Sequence, residues 1–357
     1  MRTKELLRAS GYLMIFAPPA LLLIGLRLGL PWLSFVALFF VAPLLRLVFG
    51  DAPERAPEWS EAVATFLHRL PDAYVVLFVA AVAACLPELH RLQGDIAGLA
   101  GFGLSLWATF IFASCPAHEL AHRRTPGSRT LGRVLAGVLG YPVQEHEHRA
   151  HHSRPGDVAG AEWPRVDETL WAFSLRRLPR VVRSALDGEA VAATRSGRRF
   201  AGGLAFSALC TFATWTAFIV AAGWAGALLY AAVVAAVWWA MQAVTYVQHW
   251  GLGADHLDAA KRKHFGWEDR CQVQAWLTLS ISFHQAHHSR HHVPYYLQET
   301  EPGSPRMPGG YVVLLFAGLV PPVWRALMVP ALESWKRDPH RSNSTGRRLV
   351  CFSRAVP

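Results

Sequence analysis

Charge is what this chain is short of. Only 17% of its 357 residues are Asp, Glu, Lys or Arg, and 52% are hydrophobic, whereas a soluble domain carries about 25% charge. That deficit argues against a pair of soluble domains and fits several membrane spans with one polar head. Cysteine is scarce as well: Cys85, Cys115, Cys210, Cys271 and Cys351 stand alone, without a CxxC pair. This excludes a disulfide framework, a zinc ribbon and a built-in rubredoxin iron site. Cys85, Cys115 and Cys210 fall in apolar runs, where a thiol serves as a small core residue. No internal repeat or low-complexity segment is visible. After MRTKELLRAS no small-residue cleavage site separates the first apolar run from the second. The N-terminus therefore reads as a membrane anchor, not a removable signal.

The charge that is present leans positive, a net +10 concentrated in loops and termini. Basic loops stay on the cytoplasmic side, and this accounts for the excess better than nucleic-acid binding does. Six apolar runs are expected to cross the membrane, at about 12–28, 32–49, 70–88, 95–117, 200–222 and 224–248. Each is near the roughly 20 residues that a hydrocarbon core of about 30 Å requires. Pro18-Pro19 predicts a kink in the first. Asp51 to Pro71 reads as a polar return along the surface. Leu170 to Leu186 mixes apolar and basic residues at near-helical spacing, as an amphipathic interfacial helix does. Leu314 to Leu332, interrupted by Pro321-Pro322, reads as a surface or re-entrant helix. The expected fold is all-α: one membrane-embedded domain over residues 1–357, a six-transmembrane-helix bundle with a cytoplasmic histidine-rich di-metal head. The head comprises 118–199 and 249–357, and both termini lie inside.

Seventeen histidines are present, and most gather in four places. IFASCPAHELAH carries His118 and His122 at the end of the fourth apolar run. Four residues apart, the two imidazoles lie one turn above the other on one helical face. His146, His148, His151 and His152 follow in EHEHRAHH, His249 ends the sixth run in TYVQHWGL, and FHQAHHSRHH carries His284, His287, His288, His291 and His292. His68, His90, His256, His264 and His340 are isolated and read as ordinary surface or core residues. HxxxH once and HxxHH twice, each beside an apolar segment, is ligand spacing for metal. Structural zinc usually takes some cysteine. Eight or nine imidazoles are enough for two ions, and an all-nitrogen site facing an apolar bundle suits iron that activates O₂. A metal transporter would also use such histidines, but it would place them at mid-membrane depth between broken helices, not at helix ends.

HELAHRR, EHRAHH, YVQHWGL and FHQAHHSRHHVPYYLQ together resemble the integral-membrane alkane 1-monooxygenase family, which includes xylene monooxygenase, within the membrane fatty-acid desaturase and hydroxylase superfamily. APLLRLVFGD at 42–51 and SPRMPGGYVVLLFAGLVPPVWRALMVP at 304–330 resemble that family's segments after its second span and near its C-terminus. The lone histidine of YVQHWGL separates alkane hydroxylases from plain desaturases. The resemblance implies two non-haem irons. It implies as ligands His118, His122, His148, His151, His152, His249, His284, His287 and His288, with His146 as the alternative to His148. The family spaces its second box one residue wider than this chain does. It also carries acidic residues where Gln248 and Ala286 stand here. Glu119, then Glu145 and Glu147, are the expected outer carboxylates that orient imidazoles.

The activity implied is hydroxylation of an alkyl chain or methyl group with O₂, in the bacterial inner membrane with the active site facing the cytoplasm. The alternatives are a fatty-acid or lipid desaturase or hydroxylase with the same di-iron centre, and a metal-ion transporter. The hydrophobic substrate would enter from the bilayer, with Trp238, Trp239, Met241 and Tyr246 as candidate channel-liners. Electrons would come from a separate rubredoxin or ferredoxin-type carrier and its reductase. That carrier would dock on Arg123, Arg124, Arg149, Arg154 and Lys261 to Lys263.

Overall fold

The computed structural model describes residues 2–197, 199, 202–258 and 261–337. Phe200, where the fifth span is expected to begin, and the tail from 338 with His340 and Cys351 lie outside them. Among the described residues the chain is helical, with three isolated bridge pairs and no strand.

The first apolar run forms α1 (Thr3–Arg27). Its geometry tightens to 3₁₀ over Gly11–Phe16, ahead of Pro18-Pro19. The prolines themselves open the following α-helical stretch, where a missing N–H costs little. The next run, α2 (Leu33–Phe49), is short and changes pitch through π and 3₁₀ turns at 37–45. The third is longer than its hydropathy predicts. α3 (Glu61–Leu92) begins ten residues inside the expected polar return and carries Pro71 within it. The fourth, α4 (Ile96–Ala121), is capped by Asp95, whose Oδ1 accepts from Gly98 N at 2.9 Å. Small polar residues fasten α4 to its neighbours, as small residues do between helices in lipid. Ser34 Oγ lies 3.0 Å from Thr109 Oγ1, and Ser105 Oγ donates to the Pro31 carbonyl at 2.7 Å.

A polar head follows, with α5 (Pro126–Val138), α6 (Gln144–Ser153) and α7 (Leu170–Arg195). Gly140 makes the turn into α6 at φ +71°, with Val234 packed where a Cβ would stand. The amphipathic α7 buries the i, i+4 stripe Phe173, Arg177, Val181 and Ala185 and leaves Leu175 and Leu186 exposed. The last long helix, α8 (Gly203–His249), is a hairpin in disguise. Ala222 and Gly223 leave helical geometry, and the two arms fold back on each other. Trp215 Nε1 donates to the Ala227 carbonyl at 3.1 Å, and the Phe218 ring packs on Tyr230.

α9 (Gln272–Leu277), α10 (His284–Ser289), α11 (Tyr311–Leu319) and α12 (Pro321–Arg337) complete the head. The expected single surface helix at 314–332 is thus two, broken at Val320. Among the described helices, α1, α3, α4 and α8 are long and apolar enough to cross a membrane. Four helices qualify by length and composition; α8 among them is broken at Ala222 and Gly223, where the fifth and sixth runs are expected to part, and α2 is shorter. The bundle's outer surface is apolar: Leu47, Val48, Val220 and Trp224 are each at least 73% exposed.

Candidate metal centre

The helical repeat sorts the histidines into two groups. On a helix, residues i and i+4 share a stripe and i+3 falls on the adjacent one. His118 on α4 and His122, which caps its C-terminus, form one such pair, and His148 and His152 on α6 another. Both face a group completed by His287, in which all five ligand atoms lie within 4.8 Å of one another. On α10 the pair is His284 and His288, which meets His249 from the end of α8 and His151 from α6 in a second group of four. The two HxxHH boxes are therefore complementary. Each gives its i, i+4 pair to one group and its i+3 residue to the other.

Within the groups the Nε2 atoms converge. His122 and His148 approach to 2.7 Å, and His152 and His287 to 2.9 Å. His249 lies 3.0 Å from both His151 and His284, and His284 lies 3.1 Å from His288. Two imidazole nitrogens at about 2.1 Å from one ion and roughly 90° apart would be separated by about this much. His118 Nε2 is buried without a hydrogen-bond partner, an orphan atom that an ion would satisfy. Burial drives the imidazoles toward the neutral form that binds metal: His122 and His284 are lowered to about 3, and His148, His287 and His288 are lowered well below the ordinary value. The donor set thus fits two transition-metal ions held by nitrogen.

Around the imidazoles the structure brings in residues that spacing does not reveal. The Trp163 ring stacks on His151 at 4.5 Å and lies 4.2 Å from His249. Its Nε1 donates to the Phe265 carbonyl at 3.0 Å, which also accepts from His249 Nδ1 at 2.6 Å. Glu162 Oε2 stands 3.4 Å from His151 Nδ1. Burial alone would raise the Glu162 carboxyl, but His151 and the Arg177 charge outweigh it and hold it at about 2. Arg177, on the buried stripe of α7, spans Glu162 at 2.8 Å and Glu147 at 2.5 Å. A signal for it was available: Arg177 is a cation on an otherwise apolar i, i+4 row.

Of the carboxylates expected around the site, Glu147 meets Arg177 and accepts from Tyr141 Oη at 3.1 Å. Glu119 pairs with Arg123, and Glu145 with Arg129, Arg133 and Arg149. His146 turns away from both groups to Glu189, at 3.1 Å. His291 sits at the exposed rim, its ring 5.1 Å from His152. His292 is exposed beside it. Gln248 donates to Tyr311 Oη at 3.2 Å.

A cavity of about 110 Å³ opens against both groups. Phe39, Ile111, Phe112, Val244, Val312 and Leu315 line its apolar part, and His118, His148, His151 and His284 also line it. Of the candidate channel-liners, Met241 is in this wall. Trp238 instead donates to the Gly140 carbonyl, Trp239 stacks on Trp171, and Tyr246 donates to the Glu168 carbonyl.

Known proteins resemble this chain over most of its length. Residues 96–300, which run from the start of α4 past α10, match the family model for fatty acid desaturase. Alkane 1-monooxygenase 2 of Pseudomonas aeruginosa is 26% identical over 326 residues, 85% of this chain and 85% of the relative. Alkane 1-monooxygenase of Pseudomonas putida is 26% identical over 83% of this chain and 76% of its own length. The Acinetobacter baylyi alkane 1-monooxygenase is 22% identical over 88% and 80%.

Proposed function

The chain belongs to the fatty acid desaturase family, and on that premise we propose that it is a membrane-bound, non-haem di-iron monooxygenase that hydroxylates an alkyl chain or methyl group. One observation carries the reading: two groups of imidazoles, five and four, lie together, and members of both line a largely apolar cavity. Relatives named alkane 1-monooxygenase over most of the chain favour hydroxylation over desaturation or ion transport.

The nine histidines of the two groups would hold the irons, which supply the activation of O₂ when bound. The chain's own residues do the rest. Phe39, Phe112, Met241, Val244 and Leu315 offer an apolar wall against which a hydrocarbon chain lies end-on, its methyl toward His118 and His284. A methyl forms no hydrogen bond, so selection is by shape. Trp163 and Phe265 pack against the His249 and His288 side of the centre, where they exclude water. The Phe265 carbonyl holds the proton of His249 on Nδ1 and leaves Nε2 free, and the Glu162 charge, 3.4 Å from His151 Nδ1, favours the proton on that nitrogen.

We assign six spans, counting α2 and both arms of α8, with this face and both termini in the cytoplasm of a bacterial inner membrane. Reduction would come from a separate rubredoxin or ferredoxin-type carrier and its reductase. Of the expected docking residues, Arg124 and Arg149 are exposed on this face, whereas Arg123 is turned inward to Glu119 and His68. The test is iron per purified chain, together with product analysis on an n-alkane, a fatty acid and a methyl-arene under a reducing system. Two irons and an alcohol product are expected. Cation flux without O₂ uptake would overturn the reading.

A further inference from the structure

Gln285 is wholly buried inside the fourth histidine box, between His284 and His287. Its side chain uses both ends on the segment 263–266. Oε1 accepts from Phe265 N at 2.5 Å and Gly266 N at 3.1 Å, and Nε2 donates to the Lys263 carbonyl at 3.0 Å. A second bond from Nε2 reaches Ser289 Oγ at 3.0 Å. The clamped segment is the one whose Phe265 carbonyl receives His249 Nδ1 and Trp163 Nε1. It lies tight on the box: a Cβ on Gly266 would stand 2.7 Å from His284 Cδ2.

The geometry points to Gln285 as a positioning residue for the four-histidine ion. It fixes one carbonyl, and that carbonyl sets both the tautomer of His249 and the place of the tryptophan stacked over His151. His249 has no neighbouring histidine in sequence to hold it by helix geometry. It enters from the end of α8, with Nε2 3.0 Å from His151 and His284, and its orientation depends on what grips Nδ1. An amide suits this clamp because it both accepts from two N–H groups and donates to a carbonyl, which neither a carboxylate nor an apolar residue does. The five-histidine group lacks this dependence, since two helical i, i+4 pairs already orient four of its members. The inference rests on the di-iron reading above, and it predicts that the two ions are held unequally.

The experiment uses the full chain in nanodiscs, loaded with ferrous iron and challenged with a graded chelator, reading iron per chain and the spectroscopic signature of a coupled pair. The parent should retain two irons. Gln285→Leu should lose one of them at about ten-fold lower chelator, lose the coupled signature and keep the other iron. Gln285→Glu, which still accepts from Phe265 N and Gly266 N, should recover part of the difference. Gln242→Leu, which removes another fully buried amide, should leave both irons in place. Should Gln285→Leu fail to accumulate, Gln285→Asn, one methylene short, carries the same comparison. Retention of both irons by the Gln285 variants, or loss of both in step, overturns the proposal. A parent that never holds two irons overturns the di-iron reading instead.

Discussion

Glu162→Gln separates the carboxylate that tertiary structure brings to an imidazole from those chosen by proximity in sequence. Glu162 stands 3.4 Å from His151 Nδ1, and it is also bound by Arg177 at 2.8 Å and Arg154 at 2.7 Å. The substitution keeps the side chain's shape and removes one negative charge. Arg177 keeps Glu147 at 2.5 Å and the Ala161 carbonyl at 2.7 Å, so the buried cation is not abandoned and folding should survive. His151 loses the anion that makes its other nitrogen a better donor to metal. Loss of such an outer partner costs about 10- to 100-fold in metal affinity, or roughly 1.4–2.7 kcal/mol. The same chelator titration should show one iron weakened by that factor in Glu162→Gln. Glu119→Gln should leave both unchanged, because Glu119 pairs with Arg123. Equal affinity in Glu162→Gln, or a larger loss in Glu119→Gln, would refute the assignment of His151's support to Glu162.

Three further outcomes are expected. Burial raises the Glu268 carboxyl to about 7, against the lesser lowering by its bonds to Ser304, Glu301 N and Ala286 N and by the Arg270 charge. A raised folded pKa favours the fold fully below the ordinary value of 4.5, and that contribution is lost as pH rises from there through about 7; Glu268→Gln should flatten the loss of thermal stability expected in the parent between about pH 4.5 and 7. Gly266→Ala forces a Cβ against His284, and such overpacking costs about 1–3 kcal/mol, to be read as a lower melting temperature with loss of iron from the four-histidine group. Met241→Trp narrows the cavity and should shift product yield toward shorter alkanes, whereas Trp239→Ala, on the far side against Trp171, should leave chain-length preference unchanged.

Which nine histidines act together came from the resemblance to a known family, and the structure gathers those nine into two groups; sequence alone determined the apolar helical character and the placing of histidines at helix ends. Those features are local: hydropathy is additive along a run, and the i, i+3, i+4 repeat is fixed by helix geometry. The i, i+4 pairing within each HxxHH box follows from the same arithmetic, but which group each pair joins was decided by the fold. The length of α3 was not legible, because residues 61–69 mix Glu61, His68 and Arg69 with five apolar residues and become helical as an extension of the apolar run. The turn of α8 at Ala222 and Gly223 falls where the sequence parts the fifth and sixth apolar runs, although no polar loop marks it. Only tertiary structure decided what surrounds the imidazoles. Trp163, Glu162 and Arg177 reach the centre from a loop and from α7, whose sequence positions say nothing of distance, and Gln285 sits in the box itself but meets the 263–266 segment only in the fold. Likewise Trp238 and Trp239 lie in the expected helix but not against the cavity, since which side of an apolar helix faces a pocket is set by its neighbours. A buried charge or amide is tolerated only where partners from other segments complete it, and those partners exist only once the chain has folded.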